Sequence, residues 1–151
     1  IARARSSTCD ALISQPACPA LRQPETSQPF LAVTLIDSTY QGQLRCLSSH
    51  GPSGTSLETD APTDNQGKGE RFSPTDLVAT ALSTCMLTIM GIVAERHGWS
   101  LEGASARVEK TMTSTPPRRI AQLTVWVELP AGLDAQQRAL LQRAAESAPR
   151  P

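Results

Sequence analysis

The stretch SPTDLVATALSTCMLTIMGIVAERHG, residues 73–98, decides the fold. Ser73 stands at a helix N-cap, Pro74 follows at the first helical position where its missing N–H costs nothing, and Asp76 approximates a capping box. The end is equally marked: Arg96 and His97 fall in the last turn and Gly98 suits the C′ position. About 24 residues at about 1.5 Å each give a helix of about 36 Å. Apolar residues nearly encircle its middle, so it must be covered on more than one side. A single small sheet covers only one. A second helix, or a second copy of the chain, must cover the rest. Residues 77–94 carry no charge and reach the lower edge of a membrane-spanning length. Thr80, Ser83, Thr84 and Thr88 interrupt them, however, and amphipathic segments follow, so a helix buried in protein is the expectation.

Working outward, Leu31–Ile36 is a short apolar run and YQGQLRCL, residues 40–47, reads as a strand. His50–Gly54 is a turn cluster, and Thr55–Thr59 reads as the returning strand. Asp60–Arg71, DAPTDNQGKGER, is a long polar loop without core residues and a candidate functional loop. Beyond the helix, Ala104, Ala106, Val108 and Met112 alternate with polar residues, as do Leu123, Val125, Val127 and Leu129, with Thr115–Arg119 as their hairpin connection. Asp134 caps a last helix, paired with Gln137, whose inner face carries Leu140, Leu141 and Ala144. The order ββ(β)–α–ββ–α segregates strands from helices, which predicts an α+β fold with an antiparallel sheet. Residues 1–29 show no hydrophobic period and contain Pro16, Pro19, Pro24 and Pro29. They read as a disordered or non-native N-terminal extension, with a transit-peptide character in Arg3, Arg5 and Arg22 as the alternative. Residues 30–151 form the single expected domain.

The 14 basic and 14 acidic residues balance, and no basic block is present, which argues against a nucleic-acid partner. The four cysteines, Cys9, Cys18, Cys46 and Cys85, form no CxxC pair and have only two histidines beside them. That argues against a zinc framework, and neither a metal nor another cofactor is called for. A reducing compartment, the cytoplasm, is the expected location, with no membrane partner.

Cys85 has two readings. Free cysteine is among the most buried residue types and packs as a small hydrophobe, so an inert core thiol is one. A reactive thiol is the other, and it needs a thiolate. Cys85 lies three turns from the helix start, beyond the reach of the helix dipole, so a cation from elsewhere must supply the stabilisation. Arg45, in the half-apolar strand LRCL, is the best candidate; a solvated strand arginine is its alternative reading.

The segment GKGERFSPTDLVATALSTCMLTIMGIVAERHGW resembles the central segment of the OsmC/Ohr family of thiol peroxidases. YQGQLRCLSSHGPSG resembles the family's N-terminal strand pair, and VEKTMTSTPPRRIAQLTVWVELP and DAQQRALLQRAAES its later hairpin and helix. The resemblance covers about Tyr40 to Ser147 and implies an OsmC-like α+β fold. It implies a long central buried helix, a second C-terminal helix, and an intertwined homodimer with its long helices back to back. It implies that Cys85 is the peroxidatic cysteine and that Arg45 lowers the thiol pKa and orients the peroxide, as a thiol-dependent peroxidase of oxidative stress defence. The substrate would be an organic hydroperoxide or hydrogen peroxide, and a thiol reductant would restore the cysteine.

Two positions depart from the family pattern. The glutamate partner of the arginine falls at Thr75; Asp76 is on the opposite helix face from Cys85, and Glu70 in the preceding loop could reach instead. The second cysteine, followed by proline, is replaced by Ser147-Ala148-Pro149, and the strand after it is missing, so the domain reads as C-terminally truncated with an unprotected sheet edge. Cys9 or Cys18 could substitute only by chance, and Cys46, adjacent to Arg45 on a strand, points to the other face. A diverged OsmC-fold protein without peroxidase activity, acting as a structural or binding module, is therefore the alternative.

Overall fold

The computed structural model describes residues 33–148. The expected N-terminal extension and the cysteines at 9 and 18 lie outside the described residues. From Thr34 onward the chain forms one unit, with strands β1 (Ile36–Gly42), β2 (Arg45–His50) and β3 (Ser56–Asp60), a helix α1 (Pro74–Arg96), strands β4 (Ser105–Met112) and β5 (Ile120–Glu128), and a helix α2 (Ala135–Glu146). The strands make two antiparallel sheets, β1-β2-β3 and β4-β5. This is the α+β arrangement of segregated strands and helices expected from the sequence.

The expected single strand over residues 40–47 is corrected: the chain turns back within it. β1 ends at Gly42, Gln43 and Leu44 form a two-residue turn with φ of 51° and 63°, and Arg45 opens β2. Left-handed φ at both turn positions matches the twist of a tight hairpin, and the Tyr40 hydroxyl accepts the Leu44 N–H at 3.2 Å. Neither Gln nor Leu announces such a turn, so only Gly42 hinted at it.

Helix α1 begins as its residues dictate. The Ser73 hydroxyl accepts the Asp76 N–H at 3.2 Å and the Asp76 carboxylate accepts the Ser73 N–H at 2.8 Å, a complete capping box. Gly98 follows the C-cap residue His97 with φ of 70°. One stripe of α1, Ala79, Ser83, Met90 and Ala94, is buried. Met90 and Ala94 join Leu141 and Ala145 of α2 in the core, with Met86, Val93, Trp99, Val127 and Leu129 packed around them. On α2 the buried positions are Leu141 and Ala145, with Leu140 and Ala144 flanking them half-buried, so the inner face is turned slightly from the one expected.

The other side of α1 is open within the single chain. Ala81, Thr84, Thr88 and Ile92 are exposed and Cys85 is half-buried. The helix is thus central but buried along one stripe, because α2, β4 and β5 cover only that side. Its exposed hydroxyls satisfy themselves on the preceding turn: Thr84 and Thr88 each donate to the backbone carbonyl four residues earlier at 2.8 Å. The β1–β3 sheet packs on none of the helices or on β4-β5 with more than a marginal contact. It leaves Ile36, Tyr40 and Leu57 exposed.

Candidate active site

The polar loop between β3 and α1 is tied at its base. The Asp60 N–H donates to the Phe72 carbonyl at 3.2 Å, and the Gly69 N–H donates to the Ala61 carbonyl at 3.2 Å. Gly67 is required by a close approach, since a Cβ there would lie 1.7 Å from the Ala61 carbonyl oxygen. The loop therefore returns to β3 before α1 begins, and brings Glu70 back over the sheet.

There it meets Arg45. The Arg45 guanidinium is ion-paired with Glu70 through Nη2, and the same nitrogen lies 3.6 Å from Oδ2 of Asp60. Asp60 faces Arg45 directly across the β2–β3 ladder, and its side chain is fully buried whereas that of Glu70 is half-exposed. The Glu70 N–H donates to Asp60 Oδ2 at 3.0 Å. That backbone hydrogen bond, helped by the Arg45 charge, holds the Asp60 carboxyl below its ordinary value despite burial. The Glu70 hydrogen bond likewise raises the Arg45 guanidinium above its usual range, so it stays charged.

Of the two acids left open by the sequence, Glu70 is the partner of Arg45. Asp76 is committed elsewhere. Lys110 of β4, largely buried, donates to Asp76 Oδ1 at 2.5 Å and to the Thr75 hydroxyl at 2.8 Å. Burial alone pushes the Asp76 carboxyl up, but hydrogen bonds from Lys110 and Ser73 outweigh it and the net shift is downward. Thr75 thus serves the helix start and not the arginine. Asp60 opens the polar loop in the sequence but is the buried end of β3, where Thr59 and Asp60 are both buried; no alternation in the strand signals this.

Cys85 is not brought to Arg45 within one chain. No hydrogen bond or ion pair joins the two among the described residues, and α1 makes no more than a marginal contact with β2. At 3.6 residues per turn Cys85 lies within about 20° of Ile92 and about 140° from buried Met90, which sets it on the open stripe. Cys46 is a free thiol that lines a separate cavity of about 400 Å³ with Tyr40, Leu44, Thr59 and Met112, on the face opposite Arg45 as strand alternation requires. A cavity of about 650 Å³ lies between the loop and α1, walled by Glu70, Phe72, Asp76, Ala79, Val108 and Lys110.

The chain as a whole is similar to known proteins. A family model described as OsmC-like protein matches residues 67–150. A protein from Psychrobacter arcticus 273-4, named for osmotic stress induction and a detoxification response, is 41% identical with a TM-score of 0.73, over 81% of this chain and 88% of that one. An organic hydroperoxide resistance protein OsmC from Legionella pneumophila shares the fold at 24% identity and a TM-score of 0.60, over 79% and 86% of the two chains. The organic hydroperoxide resistance protein OhrB of Bacillus subtilis shares it at 16% identity and a TM-score of 0.54, over 79% and 87%. No curated protein matches. With more than half of its length matched by the family model and a structural relative above two-fifths identity, the chain belongs to the OsmC-like family.

Proposed function

We propose that this protein is a thiol-dependent peroxidase that reduces organic hydroperoxides or hydrogen peroxide through Cys85, with Arg45 as the cationic partner. The observation that carries the reading is the Arg45–Glu70 ion pair, which supplies an oriented guanidinium although the family's glutamate position is Thr75. Family relatives named for organic hydroperoxide resistance support the substrate class.

In the proposed reaction the Cys85 thiolate attacks the terminal peroxide oxygen and the O–O bond breaks. Sulfur loses two electrons and becomes a sulfenic acid, while the departing alkoxide takes up a proton to leave as the alcohol. Cys85 sits twelve residues into α1, past the reach of the helix dipole. A guanidinium is therefore the group that stabilises both the thiolate and the leaving oxygen, through its planar fork of donors. Reduction falls to an external dithiol: one thiol displaces water to form a mixed disulfide, and the second releases Cys85 and closes the reductant's own disulfide. The proposal places the protein in the reducing cytoplasm, without a membrane or nucleic-acid partner.

The pairing of Arg45 with Cys85 requires a second copy of the chain in this reading. Cys85 lies on an open stripe of α1, Arg45 is carried by a sheet that stands off its own helices, and a homodimer would bring the two together. The test is to mix the reduced protein with cumene hydroperoxide and a dithiol. Consumption by the native protein and by Cys46→Ser, with none by Cys85→Ser, is expected; equal consumption by Cys85→Ser would falsify the reading. Ser147-Ala148-Pro149 at the family's second-cysteine position favours the alternative of a binding module with an inert thiol, and the same experiment separates them.

A further inference from the structure

Asp60 combines three properties that a structural loop anchor does not need together. Its side chain is fully buried, it stands cross-strand from Arg45, and it accepts the N–H of Glu70, the residue that binds Arg45 from the other side. An asparagine would accept that N–H as well. What only a carboxylate adds is a charge against the guanidinium, and a buried charge is costly unless a partner compensates it. Two further atoms point the same way: Asp60 Oδ1 and Arg45 Nε are both buried and without a hydrogen-bond partner. The guanidinium is thus held through one nitrogen, with its remaining donors uncommitted to either carboxylate.

We infer that Asp60 is a positioning residue of the Cys85–Arg45 site. Its carboxylate fixes the Glu70 loop to β3 and holds Arg45 from beneath, so that the solvent-accessible part of the guanidinium is left to face the reacting sulfur and peroxide. This rests on the peroxidase reading. Asp60 touches neither the thiol nor the peroxide and acts only through Arg45 and Glu70.

The test is a double-mutant cycle on the second-order rate of cumene hydroperoxide reduction, with amide exchange across residues 61–71 as a readout independent of activity. Asp60→Asn preserves volume and the acceptor for Glu70 N–H, so it keeps the fold while removing the charge. It is expected to lower kcat/KM by about ten- to a hundredfold, the scale of a slightly misplaced reacting group. In an Arg45→Ala background the same substitution should have no further effect. Asp60→Ala should in addition speed exchange at the Glu70 amide. An undiminished rate in Asp60→Asn, or an equal loss with and without Arg45, overturns the inference while leaving the peroxidase reading standing. An inert native protein overturns both, and unchanged Glu70 exchange in Asp60→Ala removes the anchoring role by itself.

Discussion

At Arg45 two carboxylates converge from unlike surroundings, Glu70 half-exposed on a loop and Asp60 buried in the sheet. The exposed one can follow the arginine, whereas the buried one stays where the ladder puts it. Glu70→Gln is expected to slow peroxide reduction with little change in melting temperature. Asp76→Asn, which disturbs the Lys110 cluster, is expected to lower the melting temperature with the activity of the folded fraction kept. Kinetics and thermal unfolding on the same two variants check both outcomes. Acid sensitivity follows from the carboxyls. Asp60 and Asp76 are both held below the ordinary value of 3.8, so the folded state binds fewer protons than the unfolded one. Their contribution to stability is complete above about pH 4 and is lost as pH falls through their folded values. Chemical denaturation at stepped pH should show a midpoint that declines in that acid range, and the decline should shrink in Asp76→Asn. From the sequence Arg45 and Cys85 stood out by residue type and resemblance. Which acid served Arg45 stayed open, because Glu70 lies twenty-five positions away and only the closure of the loop sets it there.

Among the elements, those with caps were legible and those with unmarked turns were not. Ser73, Pro74, Asp76 and Gly98 placed both ends of α1, and Asp134 with Gln137 placed the start of α2, as the hydrogen bonds confirm. The β1–β2 hairpin was hidden because Gln43 and Leu44 take left-handed φ values that their side chains do not favour. Ser73→Ala should destabilise the protein by about 1 kcal/mol, the usual worth of an N-cap hydroxyl, measurable in urea. Gly67→Ala is a sharper test of the loop. Its Cβ meets backbone at 1.7 Å, so the segment must move, and Glu70 with it. Peroxide reduction should fall while α1 and the β4-β5 sheet keep their far-UV signature; an unchanged rate would separate the loop from function.

For the molecule as a whole, the sequence required more cover for α1 than one small sheet gives, and the single chain supplies it on one side only. Leu141, fully buried against Met90, belongs to that covered side, and Leu141→Ala should cost about 2–5 kcal/mol through the cavity it leaves. The uncovered side carries Cys85, and the sheet with Arg45 stands apart from it. Both elements present open faces within one chain, and in the proposed reading a second copy completes the site. Co-expression of Cys85→Ser with Arg45→Ala tests the proposed pairing most directly. Each variant alone lacks one half of every site. A mixed dimer has one site in which the intact Cys85 of one chain meets the intact Arg45 of the other. Peroxide reduction in the mixed protein well above that of either variant by itself is the predicted result. A mixed dimer no faster than the Arg45→Ala variant alone would contradict the account.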